Sequence, residues 1–258
     1  MLRLVVLGDP VAHSLSPAIH TAALAACGLE GRYRARRVDA AGVRAAVDEI
    51  RDGTLDGANV TMPHKATAAA AADRLDDQAR RADSVNTLVR EDGRVVGHTT
   101  DVGGIRDAWS RAGLSDEAPV LLLGGGGAAA AALLALEGRD LVIATRRPGA
   151  GAALVERLEV TAEEAAWGAG VLGAVVVNAT PIGMHGERLP DEVLDRAGGL
   201  FEMAYGPHPT PAVARARREG MPVAEGLDML VAQAARSFTL WTGIEAPIEA
   251  MREAVTHR

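Results

Sequence analysis

Of the 27 basic residues in this chain, 26 are arginine and one, Lys65, is lysine. Positions that need only positive charge are served by Arg here, so the lone Lys either marks a place where a guanidinium will not do or is a leftover surface residue. Lysine is compact and burial can lower its pKa, whereas Arg stays charged in proteins. Its neighbours add weight. Asn59-Val60-Thr61-Met62-Pro63-His64-Lys65 sets an amide, a hydroxyl and an ammonium across a strand end and a helix start, where ligands commonly bind in α/β sheets. Asp101, closing Gly97-His98-Thr99-Thr100-Asp101, has two readings. Alone it caps the helix that follows; beside a buried lysine it would hold the ammonium and help shuttle a proton, as carbonyl reduction at neutral pH requires. His64 reads as a solvated loop residue, and no His or carboxylate spacing suggests a metal site.

A second constellation is Gly124-Gly125-Gly126-Gly127-Ala128-Ala129, which fits G-x-G-x-x-A. With 29 Gly and 51 Ala in the chain, about one such match is expected by chance. Gly168-Ala169-Gly170-Val171-Leu172-Gly173 also fits a G-x-G-x-x-G pattern, but it follows a helical stretch and precedes a strand. Only the first leaves a strand, Val120 to Leu123, and opens a helix, through Leu136, so that backbone N–H groups can approach a pyrophosphate at the helix N-terminus. The next strand ends in Thr145-Arg146-Arg147. An acidic residue there would accept from the 2′-hydroxyl of NAD, whereas paired guanidiniums clamp a 2′-phosphate, which favours NADP. The competing reading is two solvated arginines.

Strands and helices must alternate to position these groups, and the sequence reads that way. Leu4 to Leu7 is a strand; Ser16-Pro17 offers an N-cap and N1 proline for a helix stopping at Gly28. Tyr33 to Val38 follows as a strand, Asp39 caps a helix through Ile50, and Gly57 to Val60 is a short strand leading to Lys65 and an alanine-rich helix. Val85 to Val89 and Arg94 to Val96 form a hairpin, followed by a helix from Val102 to Ala112. Past a turn-rich linker, Gly113 to Pro119, strands at Val120 to Leu123, Leu141 to Ala144, Ala174 to Val177 and Leu200 to Phe201 alternate with helices, the pattern of a doubly wound parallel sheet. Leu227 to Trp241 is a long amphipathic helix. Gln233 lies on its apolar face, where an amide must find a partner or line a wet cleft.

Composition removes other classes. A length of 258 residues, 48% of them hydrophobic, excludes a disordered tail or a small disulfide scaffold. No stretch approaches the roughly 18 to 20 apolar residues of a membrane helix, and Met1 to Pro10 is too short for a signal peptide. The single cysteine, Cys27, forms no internal disulfide, so a cytoplasmic location is expected. A net charge of −7 argues against nucleic acid as the main partner.

Six segments, in order, resemble the shikimate dehydrogenase family: His13-Ser14-Leu15-Ser16-Pro17; Asn59 to Lys65; Val85-Asn86-Thr87-Leu88; Thr100-Asp101; Asn178-Ala179-Thr180-Pro181-Ile182-Gly183-Met184; and Met229-Leu230-Val231-Ala232-Gln233-Ala234, leading to Phe238 and Trp241-Thr242-Gly243. The resemblance implies two α/β domains. Residues 1–101 with 227–258 would bind substrate, residues 102–226 would form a Rossmann-like NADP domain, and the cleft between them would be the active site. It implies NADP-dependent, reversible reduction of 3-dehydroshikimate to shikimate by a monomer or homodimer. Lys65 and Asp101 would be the catalytic pair. Ser14 and Ser16 would hold the substrate carboxylate, and Thr61, Asn86, Asp101, Tyr205 and Gln233 would contact or flank the ring hydroxyls. Asp77, Gly124, Gly125, Gly126, Gly127, Ala128, Thr145, Arg146, Arg147, Asn178, Ala179, Thr180, Pro181, Met203 and Gly226 would surround the nucleotide. Local readings compete: Ser16 as an N-cap, Thr180-Pro181 as a plain turn, Asn86 as a satisfier of the hairpin backbone.

The chain departs from the family pattern in places. Thr99 replaces Asn in G-x-N-T-D, Thr145-Arg146-Arg147 replaces the common Asn-Arg-Thr, Ala130 takes a loop position that is often basic, and Glu202 stands where Asp is frequent. Thr99 keeps open a dehydrogenase for quinate or an aminated analogue; a sensor that binds shikimate or nucleotide without turnover is a separate alternative, against which the presence of both Lys65 and Asp101 weighs.

Overall fold

Leu4 to Leu7 carries no polar side chain, and a strand of that kind is stable when both its faces are covered. In the structure, a computed structural model that describes residues 1–206 and 208–256, it is the buried part of β1 (Leu2–Gly8). Val5 and Leu7 face Val43, Val47 and Ile50 of α2 (Ala40–Asp52). Leu4 and Val6 face the opposite way, toward Val11, Tyr33 and Trp241. That alternation follows from the two-residue period of a strand.

The chain divides into two units, the first being Met1–Gly104 with Leu230–Arg258 and the second Ile105–Met229. The first contains, after β1, α1 (Ser16–Ala26), β2 (Gly31–Arg37), α2, β3 (Gly57–Val60), α3 (Lys65–Ala71), β4 (Arg74–Leu75), α4 (Asp77–Ala82), β5 (Thr87–Glu91), β6 (Arg94–His98) and the start of α5 (Thr100–Arg111). Its sheet order is β2-β1-β3-β5-β6-β4, with β1 parallel to β2 and β3, and β5 antiparallel to β3 and β6. Asp39 caps α2 by accepting from Gly42 N at 2.8 Å, and Gly53 closes that helix at φ +85°.

The second unit contains β7 (Val120–Leu123), α6 (Gly127–Ala135), β8 (Leu141–Ala144), α7 (Ala150–Leu158), β9 (Glu163–Ala165), β10 (Val175–Asn178), α8 (Asp191–Asp195), β11 (Gly199–Glu202), α9 (Pro211–Arg218) and β12 (Val223–Ala224). The order β12-β11-β10-β7-β8-β9, parallel throughout, is the strand order of the dinucleotide-binding fold read from its far edge. Its switch point lies between β7 and β10. Two helices complete the chain, α10 (Gly226–Thr242) and α11 (Ile248–Thr256); Val231, Ala234 and Phe238 of α10 pack with Met251 and Val255 of α11 and with Ile19 and Leu24 of α1.

Several sequence readings are corrected. Ser16 is the first helical residue of α1 rather than its cap, because Leu15 already accepts from Ala18 N and Ile19 N. Asp101 lies inside the first turn of α5, one residue past its start. The hairpin strands run Thr87–Glu91 and Arg94–His98, since Val85 N leaves the ladder to bond Lys65 O. Gly168 to Gly173 follows the short strand β9, not a helix, and opens none.

His98, at the end of β6, sits 2.9 Å from Asp76 Oδ2 through Nδ1 and 3.4 Å from Glu91 Oε1 through Nε2. Burial works against the charged ring, but the Asp76 hydrogen bond and the charges of Asp76 and Glu91 outweigh it, and its pKa is raised. A cation favoured by the fold contributes stability that is complete below the unfolded value and lost as pH rises through the folded one. His98→Gln is therefore expected to lower Tm at pH 6 by about 2 to 4 °C, the shift that about 1 kcal/mol produces in a chain of this size. The deficit should shrink by pH 9; a deficit that stays constant across that range in thermal melts would show that the charge is not involved.

Candidate functional site

Lys65 opens α3 at the carboxyl end of β3, and its Nζ donates to Asp101 Oδ2 at 2.5 Å. Asn86 Nδ2 donates to the other carboxylate oxygen, Oδ1, at 2.9 Å. The Asn86 amide is not free to turn: its Oδ1 accepts from Thr100 N at 2.8 Å and from Thr87 Oγ1 at 3.0 Å. Asn86 thus caps α5 from outside the helix and aims its donors at Asp101, which replaces the reading of Asp101 as the cap. Gln233 Nε2 donates to Leu230 O at 2.9 Å, which leaves its Oε1 to accept from Asn86 Nδ2 at 3.3 Å. The Lys65 side chain is 30% exposed and that of Asp101 12%. The lysine is half-buried rather than buried, its hydrocarbon covered and its ammonium reachable.

Thr61 and the Ser14–Ser16 loop leave the carboxyl ends of two neighbouring parallel strands, β3 and β1, where Leu7 pairs with Val60. Gly8 makes the approach possible, since a Cβ there would lie 2.4 Å from Thr61 Cγ2. Ser14 Oγ accepts from Ser16 N at 3.3 Å, which leaves the Ser16 hydroxyl uncommitted to helix capping. His64 is not solvated. It is 7% exposed, and its Nε2 donates to Val38 O at 2.8 Å, pinning the turn that delivers Lys65.

Behind the pair lies a network that sequence reading missed. Asn59 Nδ2 donates to Asn86 O, Thr87 Oγ1 and Ser237 Oγ at 3.0 to 3.1 Å, and its Oδ1 accepts from Tyr33 OH at 2.6 Å. Ser237 follows Gln233 by four residues, so helix period alone places both on one face of α10; Tyr33 left no such signal. Thr99 is buried, and among the described residues its Oγ1 has no hydrogen-bond partner.

In the second unit, Gly124 adopts φ +124°, and a Cβ on it would meet Ala179 O at 2.9 Å. Gly126 and Gly127 face open space, and Gly126 caps α6 without a side-chain acceptor, so the first-turn N–H groups of α6, at Ala128 among them, remain available to an anion. Thr145 Oγ1 donates to Arg147 O at 2.8 Å, turning the chain so that Arg146 and Arg147 are both exposed. Asn178 Oδ1 accepts from Thr180 N and Oγ1, and the Asn178–Pro181 turn meets the glycine turn through Ala179 N and Leu123 O. Met203 and Tyr205 pack against Gly226, where a Cβ would lie 2.7 Å from Met203 O and 3.0 Å from Tyr205 Cβ.

One expectation is not met at this turn. Ala130 is no loop residue; it lies within α6 at 1% exposure, where a basic side chain has no room. Asp77 lies in the first unit at the exposed start of α4, paired with Arg80 at 2.9 Å. Among the described residues no group of three or more His, Cys, Asp and Glu is placed to hold a metal ion, and no helix is long and apolar enough to cross a membrane.

These features define a class: α/β proteins that join a Rossmann-like nucleotide unit to a second α/β unit carrying a lysine–carboxylate pair. Residues 6–88 match the shikimate dehydrogenase substrate binding domain, and residues 226–256 match the shikimate 5'-dehydrogenase C-terminal domain. Shikimate dehydrogenase (NADP(+)) of Archaeoglobus fulgidus is 38% identical over 98% of this chain and 97% of its own length, and a shikimate dehydrogenase (NADP(+)) of Thermus thermophilus shows the same identity and coverage. The crystal structure of shikimate 5-dehydrogenase from Thermus thermophilus in complex with NADP(H) and shikimate superposes with a TM-score of 0.91, at 36% identity and 98% coverage of both chains. This chain belongs to the shikimate dehydrogenase family.

Proposed function

We propose that this protein is an NADP-dependent shikimate dehydrogenase, interconverting 3-dehydroshikimate and shikimate, with the first unit holding substrate and the second NADP. The observation that carries the reading is the Lys65 Nζ–Asp101 Oδ2 contact at 2.5 Å with Asn86 on the other oxygen. The donor set of the second unit fits NADP: open backbone N–H groups at α6 and two exposed arginines after β8. When bound, NADPH supplies the hydride.

The residues of the chain supply the proton and the grip. Lys65 donates to the C3 carbonyl oxygen of the ketone and takes the proton back in the reverse direction; Asp101 holds the ammonium in place and Asn86 holds Asp101. Ser14 and Ser16 bind the carboxylate, and Thr61, Asn86, Tyr205 and Gln233 bind or flank the ring hydroxyls. Arg146 and Arg147 receive the 2′-phosphate. The lone Cys27 fits a cytoplasmic enzyme, active as a monomer or homodimer.

Initial rates with shikimate, quinate and an aminated analogue test the substrate. Shikimate is expected to give the highest kcat/KM, and the partnerless Thr99 hydroxyl is the feature that would explain a preference for either of the others. Cofactor choice is tested by replacing Arg146 and Arg147 together with Ala. The variant should lose about 10- to 100-fold in kcat/KM for NADP, the worth of one or two charge-assisted hydrogen bonds, and change by less than about threefold with NAD. Equal losses with both cofactors would remove the arginines from phosphate recognition.

A further inference from the structure

Glu202 ends β11 with no exposed surface, and three donors meet its carboxylate. Asn178 Nδ2 and Ala204 N donate to Oε1 at 2.8 and 3.0 Å, and Thr210 Oγ1 donates to Oε2 at 3.0 Å. An ionised carboxylate is the side chain that only accepts, so this corner suits it chemically. Burial nevertheless pushes its carboxyl up to about 7, against the hydrogen bonds that pull it down. An apolar side chain would avoid that penalty if filling space were all that was required here.

What the carboxylate does is visible in the next ring of contacts. With its NH2 group donating to Glu202 Oε1 and Ile182 O, Asn178 turns its own Oδ1 toward Thr180 N and Oγ1, and Thr180 Oγ1 accepts from Ile182 N. That sets the course of Ala179, whose N bonds Leu123 O and whose carbonyl lies against Gly124. Through Ala204 N the same carboxylate sets the Met203–Tyr205 segment, which packs on Gly226. Through Thr210 it also supports α9, whose Val213 N bonds Thr210 Oγ1.

We propose that Glu202 is a positioning residue for the nucleotide site: by fixing the Asn178–Pro181 and Met203–Tyr205 segments around the glycine turn, it sets NADP affinity without touching NADP. The inference rests on the reading of that turn as the NADP site. The experiment measures Kd for NADP and, separately, for shikimate by tryptophan fluorescence, on the full chain and on Glu202→Gln, with circular dichroism to establish folding. In the variant an NH2 group replaces one acceptor oxygen, and Thr210 Oγ1, which already accepts from Val213 N, must turn its hydroxyl to meet it, while a turned amide would face Asn178 Nδ2 and Ala204 N, both donors. NADP affinity is expected to fall about tenfold, roughly the loss of one hydrogen bond to a charged group, while shikimate affinity stays within about twofold. Glu202→Leu, which keeps the volume and removes both acceptor oxygens, should show the same selective loss and serves if the Gln variant does not fold. A folded variant that binds NADP as the parent does overturns the proposal, and so does equal weakening of both ligands, the mark of general loosening. Failure of the parent itself to bind NADP would instead overturn the reading of the site, and is seen before any variant is made.

Discussion

Lys65→Arg is expected to fold, to keep its positive charge and to lose about 10²- to 10⁴-fold in kcat, the range over which general acid–base assistance operates. The ammonium sits 2.5 Å from Asp101 Oδ2, and Asn86 already occupies the other oxygen, so the carboxylate cannot offer the two-point contact a guanidinium prefers. More important, Arg does not give up a proton in proteins, and a group that must both donate and recover one cannot be replaced by it. The side chain is 30% exposed, so the longer residue has room and the melting temperature should change little. KM for shikimate should stay within about threefold, because the interaction lost belongs to the transition state. Near-parental turnover, or a loss confined to KM, would remove Lys65 from the chemistry.

Asp101→Asn should cost turnover on the same scale for a different reason. Both neighbours of the carboxylate, Lys65 Nζ and Asn86 Nδ2, are donors. An amide has one acceptor oxygen, so in either orientation its NH2 group faces a donor and one contact turns repulsive. Asn86 cannot flip to relieve it, since its Oδ1 is committed to Thr100 N and Thr87 Oγ1. The ammonium loses its anchor, and kcat should fall about 10²-fold or more. Turnover near the parental value in Asp101→Asn, measured by initial rates, would contradict the anchoring role of the carboxylate.

Much of the scaffold was legible from local patterns. β7 and β8 begin and end where their apolar runs do, and Asp39 marks the start of α2 by capping chemistry alone. The Gly124 turn was legible through its context between a strand and a helix, and the Lys65–Asp101 contact through the rarity of lysine. What escaped depends on partners distant in sequence. His64 is held by a carbonyl 26 residues earlier, and Asn86 caps a helix that starts 14 residues later. No local pattern encodes either contact. The edge strands β4, β9 and β12, two or three residues long, exist only because a neighbouring strand offers its free edge. Glu202 looked like a conservative change from Asp until its burial and three donors became visible.

Reduced-nicotinamide absorbance on mixing the purified chain with shikimate and NADP tests the account most directly. The account predicts NADPH appearing in step with oxidation of shikimate and disappearing again when 3-dehydroshikimate is added in excess. Binding of both ligands with no change in absorbance in either direction would contradict it.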